Sequence, residues 1–216
     1  MRSAVRIVTI TAASLALALG TAAAASADSG TVKDKRNDVV FKGKVSGDRT
    51  SAQKSFAKRT DVTSVEVNHG SKYVSFTINF ADLRSADQKT ARIEIAKKSI
   101  TNNTGTVTPF FELEGTVSEP RGFVDLYSGG DEEVCGIVAD VDGDALITTE
   151  SYIKVDVKTG KNGYYKMQVP RSCLDNESKI KVRTTVFGST DSRSYQDFVS
   201  PSKAKTPAWS EWILKD

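Results

Sequence analysis

The sequence predicts an all-β protein, a single antiparallel β-sandwich of the jelly-roll or Ig-like kind. Three observations carry that expectation. From Thr60 onward, apolar side chains recur at every second position in about nine short segments, the period of a strand with one buried and one wet face. Turn chemistry separates these segments, in clusters such as Asn68-His69-Gly70-Ser71 and Thr159-Gly160-Lys161-Asn162-Gly163. No window sustains the 3.6-residue helical period for four turns, and the half-polar strands are unlike the continuous apolar runs of a parallel sheet.

The chain begins with export chemistry. Residues 1–6 carry Arg2 and Arg6 and no acid, and residues 7–20 are apolar apart from Thr and Ser. Ala25-Ser26-Ala27 then forms a small-residue cleavage box before Asp28. The apolar run is shorter than the roughly 20 residues that span a bilayer. Residues 1–27 therefore read as a secretory signal peptide, and the mature chain as secreted, extracellular and without a membrane segment.

Residues 28–59 read as a basic, poorly regular N-terminal segment, with one short helical turn over residues 51–58. Residues 60–216 read as the sandwich domain. Within it, residues 61–67 are β-branched and lead through a turn into Tyr73–Phe80, where Val74, Phe76, Ile78 and Phe80 share one face. The alternation returns at Ile93 and Ile95, over residues 106–113 and 123–127, and over 134–141, where Cys135 and Ile137 share a face. It returns again at Ile153, Val155 and Val157, at Tyr165, Met167 and Val169, and at Ile180, Val182, Thr184 and Val186. Residues 189–206, rich in Ser, Lys and Asp, read as a loop.

Composition narrows the chemistry. The 216 residues include two Cys and one His, which excludes a disulfide-dense mini-scaffold, a Cys/His zinc cluster and a multi-His metal site. In an oxidising compartment Cys135 and Cys173 are expected to pair, with two buried free thiols as the alternative.

Three stretches together resemble the uncharacterised secreted β-sandwich proteins common in actinomycetes, over most of residues 31–190. They are Asp34-Lys35-Arg36-Asn37-Asp38-Val39, the hairpin from Thr60 to Leu83, and Val169-Pro170-Arg171-Ser172-Cys173-Leu174 with Cys135 upstream. The opening hairpin is also similar to that of secreted carbohydrate-binding and DOMON-like sandwiches, some of which bind calcium or sugar. The basic stretch between Asp38 and Asp61 is longer than that resemblance implies.

Candidate chemistry is sparse. His69, the sole imidazole, falls in turn sequence rather than in a Ser/His/Asp or Cys/His arrangement. No nucleophile elbow, phosphate loop or dinucleotide fingerprint occurs, so no catalytic residue and no cofactor is assigned. Asp140, Asp142 and Asp144, spaced around Gly143, are the calcium candidate, although the run lacks EF-hand spacing and also reads as a hairpin turn. Trp209 and Trp212 read either as a closing segment pinned to the core or as a sugar-stacking platform.

Charge is segregated along the chain. Residues 31–60 hold nine bases and three acids, residues 110–156 hold twelve acids and two bases, and residues 157–216 hold eleven bases and six acids. These blocks either neutralise one another across strands or make a bipolar surface. The expected function is a non-enzymatic secreted binding module for cell-wall polysaccharide or another extracellular polymer or protein, with no nucleic-acid partner. The alternatives are an extracellular carboxylate-dependent hydrolase, or a protein-binding inhibitor.

Overall fold

A computed structural model describes residues 28–42, 50–85, 89–97, 110–117, 124–128, 132–136, 153–190, 193–203 and 205–215. The signal-peptide reading of residues 1–27 and the calcium candidate Asp140, Asp142 and Asp144 lie outside the described residues.

The expected all-β antiparallel architecture is found. One sheet has five strands: β1 (Asp28–Lys33), β3 (Val62–His69), β4 (Tyr73–Phe80), β12 (Tyr164–Pro170) and β10 (Lys154–Lys158), side by side in that order. The larger sheet runs β2 (Val40–Lys42), β14 (Arg193–Phe198), β13 (Lys179–Thr190), β6 (Lys89–Lys97), β7 (Phe111–Thr116), β8 (Val124–Ser128) and β9 (Glu132–Gly136). β15 (Ile213–Leu214) joins it beside the start of β13, and β5 (Asp82–Leu83) pairs with β11 (Gly160–Lys161) in a separate ribbon.

The alternating residues form one core. Val65, Phe76, Ile78 and Met167 from the five-stranded sheet and Ile93, Leu113, Leu126 and Val182 from the larger one belong to a single contiguous apolar cluster. Gly115 of β7 shows how closely the sheets approach. A Cβ there would lie 2.5 Å from the Tyr165 hydroxyl of β12. The expected disulfide is also present: Cys135 of β9 is bonded to Cys173, with Cα atoms 6.0 Å apart. Cys173 sits in a 3-10 turn (Arg171–Leu174) that follows β12, so the bond ties the exit of one sheet to a strand of the other. Buried Arg171 organises this exit by donating to the Asn176 and Glu177 carbonyls at 2.5 and 2.8 Å.

Three expectations are corrected. Among the described residues, regular structure is already present at Asp28 rather than starting near Thr60, because β1 pairs along its whole length with β3. Val32 is the only large apolar side chain in β1, so no alternation announces the strand. The same segment supplies β2 and helix α1 (Ser51–Thr60), which starts at a capping box between Thr50 and Gln53. α1 buries Phe56 against Tyr195, ring centroids 5.0 Å apart. The second correction is β14, found inside the stretch read as a loop. Tyr195, Asp197 and Val199 are all buried, and the carboxylate at the middle position breaks the apolar period that would have marked a strand.

His69 is the last residue of β3 and is buried, not a turn residue. Its Nδ1 lies 3.3 Å from the Ile213 carbonyl. Burial, reinforced by the charges of Arg171 and Lys215, lowers its pKa. The tryptophans are half-buried against strand β13, with Arg183 4.7 Å from the Trp209 ring centroid and Lys179 and Lys181 each 5.4 Å from that of Trp212. Two sets of ion pairs lie on the same sheet, each joining a charged block to a partner outside all three blocks. Arg183 makes two bonds to Glu94, at 2.6 and 2.7 Å, and Arg92 bridges Glu114 and Glu112 at 2.6 and 3.2 Å.

Candidate functional site

Two arrangements stand out, one on a sheet face and one beneath the N-terminal segment. The five-stranded sheet turns its inner residues to the core, so strict alternation places every other residue outward. The strand register lines these up in three rows. Ser29, Asn68, Ser75, Gln168 and Lys154 form one; Thr31, Glu66, Thr77, Lys166 and Asp156 the next; Lys33, Ser64, Asn79, Tyr164 and Lys158 the third. All fifteen positions are polar or tyrosine.

A groove of about 450 Å³ lies on this face over β1, β3, β4 and β12, with Ser29, Thr31, Asn68, Ser75, Thr77 and Lys166 in its lining and Glu66 as its one carboxylate. Hydrogen bonds within and between rows hold the side chains in place. Asn79 donates to Ser64 Oγ at 3.0 Å and to Glu66 at 2.9 Å, and the Tyr164 hydroxyl donates to Asp156 at 2.8 Å.

The second arrangement is a cluster of carboxylates. Asp34 and Asp38 flank the turn between β1 and β2, Asp61 joins α1 to β3, and Asp197 comes from β14. Asp197 is 0% exposed, Asp61 2% and Asp38 8%. One carboxylate oxygen from each of Asp34, Asp38 and Asp197 lies within 4.8 Å of the others.

The backbone holds one side of these groups. The Val62 N–H donates to Asp197 Oδ2 at 2.6 Å, the Ser200 N–H to Asp34 Oδ1 at 2.7 Å, and the Asn37 N–H to Asp61 Oδ1 at 2.6 Å. Asp34 Oδ2, Asp38 Oδ1 and Asp197 Oδ1 are buried with no hydrogen-bond donor. Among the described residues no lysine or arginine pairs with these acids, although Lys35, Lys203 and Arg36 lie near enough to lower the pKa of Asp38 or Asp61.

The electrostatic consequence is large. Ionised carboxylates this close repel by about 3 kcal/mol per pair at an effective dielectric near 20. Burial, with Asp38 and Asp61 adding, pushes the Asp34 pKa up to about 7 against the pull of the Ser200 N–H. Burial, with Asp34 adding most after it, pushes Asp197 to about 9. Asp38 and Asp61 are raised too, mainly by burial.

Sequence reasoning singled out the Asp34–Asp38 opening only through a resemblance, and did not join it to Asp61 or Asp197. A weak signal was present: an acid inside Tyr195-Gln196-Asp197-Phe198-Val199, at a position whose neighbours two away are apolar.

Fold and sites together define a disulfide-bridged antiparallel β protein with a polar groove on one sheet and a buried acidic cluster under its N-terminal segment. No protein-family model matches the chain, and neither a curated protein nor a solved structure does.

Proposed function

We propose that this protein is exported and acts outside the cell as a non-enzymatic binding module for a hydroxyl-rich, cell-wall or extracellular polymer. The observation that carries this reading is the outer face of the five-stranded sheet. Five strands at about 4.8 Å spacing make a platform about 19 Å wide, suited to a chain of sugar units rather than one small molecule. Its hydroxyls and side-chain amides both donate and accept, as a sugar requires. Lys33, Lys154, Lys158 and Lys166 against Glu66 and Asp156 give it a modest positive charge, which favours an anionic polymer. Glycoside hydrolysis takes two carboxylates across the bond, and Glu66 is the groove's one carboxylate among the described residues. The Cys135–Cys173 bond and the signal-like residues 1–27 support export.

The test is co-sedimentation with purified cell-wall polysaccharide and peptidoglycan, together with a glycan array. Retention should be lost in Lys166→Glu, which reverses the charge at the groove. It should survive in Lys179→Glu on the other sheet. Absence of retention on every polymer, or equal loss in both variants, rejects the reading. Secreted material should begin at or near Asp28.

A further inference from the structure

We propose that Asp34, Asp38 and Asp197, backed by Asp61, form a calcium site that clamps the N-terminal segment onto strand β14. The sheet-face groove is a separate place on the molecule, so this inference stands apart from the polymer reading.

The donor set selects the class of ligand. Every candidate donor is a carboxylate oxygen, with no imidazole or thiolate, which suits a hard cation and not zinc or copper. Size and hydration bear on which hard cation. Oxygens around one calcium ion, each at about 2.3–2.6 Å, lie at most about 5 Å apart, whereas magnesium at about 2.0–2.1 Å draws them within about 4.2 Å. The three oxygens, all within 4.8 Å of one another, fit around a calcium ion, and magnesium, which sheds its water reluctantly, is disfavoured at an all-protein site.

The observation beyond mere clustering is that the unpartnered oxygens are buried. Asp197 is wholly enclosed, yet its Oδ1 has no donor while its Oδ2 is held by the Val62 N–H. Asp34 repeats the pattern, with Oδ1 on the Ser200 N–H and Oδ2 unpartnered. Asp38 Oδ1 is likewise buried and donor-free. Backbone donors therefore orient two of these groups and leave an oxygen of each for something else. A divalent cation satisfies all three oxygens and cancels the mutual repulsion of the acids. The Val62 N–H accounts for Asp197 Oδ2 alone, and leaves the desolvation of the buried Oδ1 without an offsetting partner.

The geometry also says what the ion does. Asp34 and Asp38 precede and follow a turn in a segment with little apolar anchorage, while Asp197 belongs to the larger sheet. The Lys35 N–H already bonds the Ser200 carbonyl at 2.9 Å and the Asp34 N–H the Thr63 carbonyl at 3.1 Å. Calcium completes that closure.

The experiment is calcium titration of the chelator-treated full chain, disulfide intact, followed by thermal unfolding and by terbium luminescence. Calcium at about 0.1–1 mM, the range of extracellular modules, should raise the unfolding midpoint saturably by several degrees, with magnesium weaker. Asp197→Asn and Asp34→Asn keep an acceptor for the Val62 and Ser200 N–H groups. Each should fold with a midpoint no lower than the chelated parent and lose at least tenfold in calcium response. Should Asp197→Asn not fold, Asp34→Asn still decides. No calcium response in the parent, or a response unchanged in Asp34→Asn, overturns the proposal; the second result would place the ion elsewhere.

Discussion

Asp197 and Val62 meet across 135 residues of sequence, the buried carboxylate accepting the Val62 N–H at 2.6 Å. That bond joins β14 of the larger sheet to the first residue of β3 in the smaller one. It also covers a backbone donor at the point where β3 is irregular, since the β3–β4 register shifts between Val62 and Ser64.

The Val62 bond should respond to chemistry rather than size. Asp197→Ala leaves a buried N–H without an acceptor and should lower stability by about 1–3 kcal/mol. Asp197→Asn keeps an acceptor and should cost nothing. Urea melts of both variants in chelator give the answer; equal losses would show that the bond contributes nothing specific.

Breaking the disulfide should loosen the contact between sheets. The two cysteines are 38 residues apart, so their bond stabilises by about 4 kcal/mol on the chain-entropy model. Cys135→Ser should unfold roughly 10 °C earlier than the parent. Calorimetry with and without reductant tests it, because reductant should bring the two proteins together. A midpoint that does not move contradicts the assignment.

Close approach at the N-terminal strand makes Gly30 a coupled position. A Cβ there would lie 2.7 Å from the Ile213 side chain, so Gly30→Ala should destabilise by about 1–3 kcal/mol through overpacking. Trimming the neighbour should recover part of that loss. A double-mutant cycle with Ile213→Val measures the coupling, and strict additivity would mean that the two residues do not press on each other.

His69 predicts a pH effect of defined sign. Burial lowers the folded imidazole below its ordinary value of 6.5, with Arg171 and Lys215 adding to the shift and the Ile213 carbonyl opposing it. Below that value the unfolded chain takes up a proton that the folded chain refuses. His69 therefore contributes stability above about pH 6.5 that is lost as pH falls toward and through its lowered folded pKa. Comparing unfolding free energies at about pH 7.5 and about pH 5 should show a smaller loss in His69→Gln than in the parent. Identical slopes would assign the titration to another group.

Much of the antiparallel β fold was legible because most of its strands advertise themselves locally. Tyr73–Phe80 places four apolar residues on one face within eight positions, and the same two-residue period marks β6, β12 and β13. Cys135 and Cys173 were legible as a pair because only two cysteines exist. β1 and β14 were not, for related reasons. β1 presents a glycine and a single valine to the core, and depends on β3 and Ile213 for its place. β14 carries an ionisable residue at a buried position, which reads as solvent-facing until its surroundings are known.

The acidic cluster shows the same division more sharply. Local spacing can point only to neighbours in sequence, and it favoured Asp140, Asp142 and Asp144 because they lie within five residues. Asp34 and Asp38 lie as close, but Asp61 and Asp197 are far along the chain from them and from each other. Sequence by itself determined the side-chain period, and with it which residues of a strand face inward, since that follows from backbone geometry at each residue. Tertiary structure decided which strands became neighbours and which acids were brought together. Those contacts depend on sheet order and on the burial of remote partners, and residue period encodes neither.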